Sequence, residues 1–293
     1  MKNKSITIIG AGWLGLPLAQ HLKANGADVL VTATSDENVK VLAGKGLTAV
    51  CYQVKPENNC ANDPVDGLMN AQSRKSRVFA SDVVVVCIPP RIRHGQTDYP
   101  NIIAQLVKDA SSVKSQVKQF ILCSSTAVYN GLAAAVDETS ELNLTTEKTK
   151  ILAQAEQQVL RSSIPLSQVI RLGGLIGPNR HPGKFFRAGR VIPNPDSVIN
   201  FIHQADVIGI IGFMIENCAT LTADIINAVA PAHPSRREFY QAAHRVVNGD
   251  CPEFSEQVEQ QGKRVEPNVL LRQNYPFQYR DVMAWLQPGN EQG

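Results

Sequence analysis

Residues 6–18 read ITIIGAGWLGLPL: a short β-type apolar run, then Gly10, Gly12 and Gly15 in G-x-G-x-x-G spacing, then residues suited to a helix. Each glycine has a physical reason to be there. Gly10 lets the chain leave a strand in a tight turn, Gly12 removes a Cβ so that backbone can approach a pyrophosphate, and Gly15 lets helix and strand pack closely. The helix that starts there aims unpaired N–H groups and the positive end of its dipole at phosphate. A glycine-rich turn alone serves many ends. This one follows ITII, precedes LPLAQHLKANG and leads into a second strand-like run, 27–33 (ADVLVTA), which is the context a dinucleotide cradle requires. Trp13 and Leu14, inside the motif, are expected to line the nucleotide with the glycines.

An acidic residue about 20 positions beyond such a motif would hold the ribose 2′-OH. Here the second strand ends Thr32, Ala33, Thr34, Ser35, and only then Asp36 and Glu37. Small hydroxyl residues such as Thr34 tolerate a 2′-phosphate where an Asp would repel it, yet no Arg stands at that tip to pair with the phosphate. The expected cofactor is therefore NADP or NAD, with NADP slightly preferred.

A chain of 293 residues with 43% hydrophobic content can bury a proper core. Lys plus Arg number 29 against 26 Asp plus Glu, a formal charge of +3 with the basic residues scattered. Nothing in that pattern asks for nucleic acid. The six cysteines form no C-x-x-C pair or Cys/His cluster, so no metal site is expected, and Cys87 and Cys123 lie inside strand-like runs, as buried reduced thiols of a cytoplasmic protein would. The N-terminus could pass for a signal peptide, but its apolar stretch is the glycine motif itself, which favours a mature first strand. No run is long enough to span a membrane.

Helix and strand signals alternate through the first half, predicting a doubly wound parallel α/β sheet. After the second strand, 37–43 reads as helix and 48–54 as a third strand, while 55–76, rich in Asn, Asp and Pro near its start, reads as a surface loop. SDVVVVCIPP at 81–90 is a strand buried on both faces, and its end, Cys87, Ile88 and Pro89, falls at the carboxyl edge where open α/β sheets bind ligands. A helix is expected over 99–112. QFILC at 119–123 then leads into Ser124, Ser125, Thr126, Ala127, Val128 and Tyr129, a hydroxyl cluster at a strand end.

Several stretches in order resemble the extended short-chain dehydrogenase/reductase superfamily, also called NAD-dependent epimerase/dehydratase, and within it the atypical, YeeZ-like branch. SSTAVYN at 124–130 is similar to the family's S-S-x-x-V-Y-G, with Asn130 in place of Gly. VIRLGGLIGPNR at 169–180 resembles the strand and loop that close over the nicotinamide, and NFIHQADVIGII at 200–211 the segment returning to the nucleotide domain. KRVEPN at 263–268 and YPFQYRDVMAWL at 275–286 resemble the C-terminal pattern of the atypical branch. The resemblance implies a Rossmann domain over 1–171 with 200–217 returning to it, a smaller interleaved α/β substrate-binding lobe over 172–199 and 218–287, and a tail at 288–293. It also implies that Ser124 and Gly174 border the cofactor, and carries the expectation of a homodimer.

In the family a Ser/Thr orients substrate, a Tyr is the acid/base, a Lys lowers its pKa, and C4 of the nicotinamide exchanges hydride. Ser125 stands at the Ser position. The Tyr-x-x-x-Lys pair should follow within ELNLTTEKTKILAQAEQQVL, which holds no tyrosine; after Tyr129 the next is Tyr240. Spacing reads as Thr146-x-x-x-Lys150, keeping Lys150; alternatively, registering Glu156 with the family's following glutamate puts Lys148 at the Tyr position and Leu152 at the Lys position. An aliphatic hydroxyl cannot replace a phenol, whose pKa is about 10. Of the candidate substitutes, Tyr129 lies near Ser125 although the tyrosine of V-Y-G shapes the site in the family, His94 reads as a surface-loop residue bordering the nicotinamide end, and His203 and Asp206 read as packing residues. Of Arg171 and Arg180, one is expected in a structural pair and the other against an anionic substrate.

Beyond Leu172 glycines and prolines crowd together, and HPGKFFRAGRVIPNP sets Lys184, Arg187 and Arg190 beside two phenylalanines. A solvated lid is the plain reading, a site for an anionic or sugar-nucleotide substrate the sharper one. Helix is expected over 207–216, strand over 224–229, and helix over 235–247 capped by Ser235 with Glu238. The function these features imply is NAD(P)-dependent oxidoreductase or isomerase chemistry on a small or nucleotide-linked substrate without the usual Tyr. The alternative is a non-catalytic NAD(P)-binding redox sensor or interaction protein.

Overall fold

The computed structural model describes residues 1–54, 71–92, 95, 97–186, 190–247, 252–256 and 262–286. In chain order the elements are β1 (Ser5–Ile9), α1 (Gly15–Ala24), β2 (Asp28–Ala33), α2 (Asp36–Gly44), β3 (Thr48–Cys51), α3 (Ala71–Val78), β4 (Val83–Val86), α4 (Tyr99–Ala110), β5 (Gln119–Ser125), β6 (Ala135–Val136), α5 (Glu147–Leu160), β7 (Leu166–Leu172), β8 (Gly174–Ile176), β9 (Phe201–His203), α6 (Gln204–Glu216), β10 (Ile225–Ala228), α7 (Arg236–Val247), β11 (Arg264–Val265) and α8 (Asn268–Arg272).

Seven strands join in one sheet, ordered β10-β7-β5-β4-β1-β2-β3. The pairings of β1 with β2 and β4, of β2 with β3 and of β4 with β5 are parallel. The order reverses between β1 and β4, the switch point where doubly wound sheets form their ligand crevice. This is the Rossmann-like α/β fold that the alternation predicts. Its logic is visible in β4, whose four valines are all buried, as a strand covered on both faces must be. Pro89 and Pro90 follow, and without N–H groups they cannot extend the ladder. Two expectations change. β3 stops at Cys51 rather than reaching residue 54. The last residues of the stretch read as a surface loop form the start of α3, a polar helix whose capacity to fold shows only in its packing end, the buried Val78 and Phe79; residues 55–70 of that stretch lie outside the described residues.

The chain divides into two compact units, the first of residues 1–124, 150–170 and 211–224, the second of 125–149, 171–210 and 225–293. The first has a core that includes Val84, Val86, Ile103, Leu106, Phe120 and Leu122. The second gathers Ile176, Ile199, Phe239, Tyr240, Trp285 and Leu286, and its short strands pair in parallel, β8 with β9 and β6 with β11. The predicted capping box of α7 forms: Ser235 Oγ accepts from Glu238 N at 3.2 Å, and Glu238 Oε2 accepts from Ser235 N at 2.9 Å. Among the described residues no helix is long and apolar enough to cross a membrane.

One carboxylate in each unit makes stability depend on acid. Lys118 Nζ and Ser5 Oγ, each 2.7 Å from Asp82, hold its pKa down to about 2. Thr139, Asn268 and Ser140 do the same for Asp137, also to about 2. The folded values lie below the ordinary 3.8, so this stabilisation is complete above about pH 4 and is lost as pH falls through about 2. Asp82→Asn and Asp137→Asn should each flatten the acid limb of stability, read from urea unfolding at stepped pH, without steepening it elsewhere.

Candidate functional site

The cradle lies in the first unit. Gly10 has φ +100°, and a Cβ there would stand 3.2 Å from the Cys87 carbonyl carbon. Its N–H donates to Thr32 Oγ1 at 3.3 Å, which ties the turn to β2. A Cβ on Gly15 would lie 2.1 Å from Gly10 O and 3.3 Å from Ile8 Cγ2, so this glycine seals turn, helix and strand together. A Cβ on Gly12 would meet nothing within 4 Å. That open space sits where the motif places a pyrophosphate. The N-terminus of α1, at Leu14, has no side-chain cap and no acidic residue in its first turn, unlike α2, whose Ser35 accepts from Asn38 N at 3.3 Å. An uncapped helix end beside free space is a fit for phosphate. Leu14 is buried and Trp13 half-buried; Thr34 is exposed at the end of β2.

The other predicted cofactor contacts in this unit sit at strand ends. Cys87 is half-buried, its N–H donating to Ile9 O at 2.8 Å. Ile88 is half-buried, with its carbonyl accepting from Tyr99 Oη at 3.3 Å, and Pro89 is exposed. Ser124 is buried and donates to Glu156 Oε1 at 2.5 Å, so its hydroxyl joins β5 to α5. One group escaped the sequence reading: Arg74 of α3 lies with Nη2 3.8 Å from Asp36 Oδ1 in the first turn of α2. An Arg does reach the tip of β2, from a segment distant in sequence.

In the second unit, Ser125 is half-buried, its Oγ accepting from Ala127 N at 3.2 Å. Tyr129 is fully buried. Its hydroxyl lies 2.8 Å from Asp137 O and 3.0 Å from Asn227 Oδ1, and accepts from Arg171 Nη1 at 2.6 Å; the Arg171 guanidinium also stands 4.8 Å from the ring centroid. Burial pushes the phenol pKa up, and Arg171 opposes it. Gly174 is a packing position, since a Cβ would lie 2.1 Å from the Phe201 ring. His203 lies against Tyr279 and Trp285, with ring centroids 4.4 and 5.1 Å apart, and burial holds its pKa down at about 4. Asp206 is buried and accepts from Gln278 N at 2.6 Å and Tyr279 N at 2.9 Å. Both residues pack, as the sequence reading has it. Arg190 lies over the Phe186 ring at 5.6 Å; Arg187 and His94 lie outside the described residues.

Helix α5 carries the stretch in which the sequence reading looks for the Tyr-x-x-x-Lys pair. Lys150 is exposed, whereas Lys148 is half-buried in the second unit. Lys263 Nζ donates to Asn130 Oδ1 at 2.5 Å. Asn200 fixes the backbone around it, donating to Lys263 O at 2.9 Å and accepting from Val265 N at 2.7 Å. Burial, then the charge of Lys148, hold the Lys263 ammonium down to about 8.

Residues 4–162 match the family described as UDP-glucose/GDP-mannose dehydrogenase family, NAD binding domain. Protein YeeZ of Escherichia coli (strain K12) is 32% identical over 285 residues, 96% of this chain and 98% of that protein. Among solved structures, UDP-glucuronic acid 4-epimerase from Bacillus cereus in complex with NAD aligns with TM-score 0.71 at 16% identity, over 95% of this chain and 96% of that one. A human epimerase family protein with NADPH aligns with TM-score 0.70 at 18% identity, over 98% and 99%. The match at 4–162 covers the cradle and its sheet, and the similarity to YeeZ runs on through both units. The chain belongs to the extended short-chain dehydrogenase/reductase superfamily of NAD-dependent epimerases and dehydratases, in the branch that contains YeeZ.

Proposed function

We propose that this chain is an NAD(P)-dependent oxidoreductase or isomerase acting on a small or nucleotide-linked substrate. The observation that carries the reading is the open position over Gly12 at the uncapped start of α1. Gly10, Gly12, Trp13, Leu14 and Gly15 hold the pyrophosphate, and Cys87, Ile88 and Pro89 border the rest of the nucleotide. When bound, the nicotinamide supplies hydride exchange at C4. Ser125 offers a half-buried hydroxyl to orient a substrate oxygen. Tyr129 serves as a positioning residue rather than an acid, since burial and three hydrogen-bond partners occupy its hydroxyl. The likeness to an epimerase of a UDP-sugar supports a nucleotide-linked substrate.

Arg74 supports NADP. Standing 3.8 Å from Asp36, its guanidinium can pair with a 2′-phosphate, which an NAD ribose lacks. A charge-assisted pair contributes about 1.5–3 kcal/mol, so Arg74→Ala should weaken NADPH roughly 10- to 100-fold and NADH little, read by calorimetric titration. Binding of none of NADP, NADPH, NAD or NADH would overturn the nucleotide reading, and equal loss of both reduced cofactors would overturn the role of Arg74. The absence of a tyrosine on α5 favours a second reading, a nucleotide-binding sensor without hydride chemistry. Turnover of a sugar nucleotide, ketone or aldehyde that Ser125→Ala abolishes would decide for the enzyme.

A further inference from the structure

We propose that Cys87 and Cys123 form a peroxide-sensitive site at the mouth of the cradle: a hydroperoxide joins the two sulfurs, and the bond so formed loosens the grip on the nucleotide. The second half of this inference rests on the nucleotide reading above, and the first half does not. Both thiols are reduced, with Sγ atoms 3.7 Å apart. The sheet makes them neighbours. β4 and β5 run parallel with Val86 opposite Leu122, which sets the next residues, Cys87 and Cys123, side by side at the carboxyl ends of the two strands. Adjacent strands lie about 4.7–4.9 Å apart, inside the window of about 4.4–6.8 Å that a disulfide needs between Cα atoms. The sulfurs have only to close from 3.7 Å to about 2.0 Å.

The surroundings fix the order of events and give them a consequence. Cys87 is half-buried whereas Cys123 is buried, so an oxidant meets Cys87 first. Contact with Cys87, then burial, push the Cys123 thiol up, which keeps it protonated until its neighbour has reacted. Cys87 stands one residue beyond β4, shortly before Pro89 and Pro90 end the ladder. Cys123 sits inside β5, next to Ser124, whose hydroxyl is tied to Glu156 at 2.5 Å. Closure therefore moves Cys87 toward β5 rather than the reverse. In the sheet β5 lies on one side of β4 and β1 on the other, and on the β1 side the 87–88 peptide backs the glycine turn. A Cβ on Gly10 would meet Cys87 C at 3.2 Å, Cys87 O at 3.3 Å and Ile88 N at 3.3 Å. Drawing Cys87 toward β5 takes that support away from the turn and loads the 2.8 Å bond from Cys87 N to Ile9 O.

The chemistry closes in two steps. The Cys87 sulfur attacks one oxygen of hydrogen peroxide: an S–O bond forms, the O–O bond breaks, and the thiol proton leaves with the departing oxygen as water, so that Cys87 becomes a sulfenic acid. The Cys123 sulfur then attacks the Cys87 sulfur: the S–S bond forms, the S–O bond breaks, and the hydroxyl takes the Cys123 proton and leaves as a second water. The two thiols lose two electrons between them, and the peroxide gains both. Cysteines kept only as small apolar side chains would leave no such link, since each would react by itself or stay reduced.

The test treats the full chain with hydrogen peroxide, blocks the remaining thiols with N-ethylmaleimide and reads the peptides by mass spectrometry, alongside calorimetric titration with NADPH and NADH. A peptide linking Cys87 to Cys123 should appear, and dithiothreitol should abolish it. Cofactor affinity should fall roughly 5- to 150-fold, the usual size of a coupling between two sites, and should return with dithiothreitol. In Cys123→Ser the second sulfur is gone, so Cys87 should stop at the sulfenic acid, trapped by dimedone, with no link to another cysteine. Absence of the linked peptide, or a linked peptide with unchanged affinity, overturns the inference while leaving the nucleotide reading intact. A reduced chain that binds neither cofactor overturns both.

Discussion

Gly15→Ala should lower stability by about 3 kcal/mol or more, whereas Gly12→Asp should stay within about 0.5 kcal/mol of the parent and yet bind no nucleotide. The two glycines lie three residues apart in one motif and fail in opposite ways. The Gly15 methyl would lie 2.1 Å from a backbone oxygen, that of Gly10, with Ile8 behind it. Neither is the far end of a flexible side chain, so turn and helix must separate. The Gly12 side chain enters open space, so folding has no objection to it, but a carboxylate there repels a pyrophosphate at close range and covers the helix N-terminus. Paired measurements of Tm and calorimetric affinity on the two variants check this. A stable Gly15→Ala would show that the turn relaxes, and unchanged affinity in Gly12→Asp would remove the phosphate from that spot.

Asp206→Ala is the other change with a large expected cost. Its two oxygens accept from Gln278 N at 2.6 Å and Tyr279 N at 2.9 Å, and the side chain is almost fully buried. Truncation removes two hydrogen bonds to a charged acceptor, each worth about 1.5–3 kcal/mol, from part-buried backbone donors that water can partly re-satisfy, so a loss of roughly 2–5 kcal/mol is expected from urea unfolding. Asp206→Asn keeps one good acceptor and should recover part of it. The loss should be accompanied by exposure of the Trp285 region, since the segment that Asp206 anchors runs into that core; a blue-shifted, unchanged Trp fluorescence in a destabilised Asp206→Ala would contradict this.

What the sequence disclosed follows from how local each cause is. The turn at Gly10, the close packing at Gly15, the valine strand at β4 and the Ser235–Glu238 box depend on neighbours within a few residues, and each is readable. His203 and Asp206 read as packing residues because the segment they occupy resembles one that packs in the family; His203 closes β9 and Asp206 lies in the first turn of α6. Arg74 and Lys263 are not readable in this way. Arg74 meets Asp36 across two elements, and Lys263 meets Asn130 across more than a hundred positions, so no spacing rule links them. The one available hint was compositional: Asn130 breaks a family Gly, and a polar residue at such a place asks for a partner. Strands such as β6 and β11, two residues each, carry too little periodicity to be seen before their pairing is known.

The second unit is closed by its own last segment. β11 pairs with β6, Asn268 Nδ2 donates to Asp137 at 2.9 Å, Val269 N donates to Glu138 at 3.2 Å, and residues 278 and 279 anchor on Asp206. During synthesis, therefore, the stretch around 135–140 emerges roughly 7–30 s before its partners at about 5–20 residues per second. Throughout that interval its apolar residues have no final home. Contacts this far apart in sequence also slow folding once the chain is complete. Slowing translation over residues 264–279 is therefore expected to lengthen the time before β6 gains its partner strand.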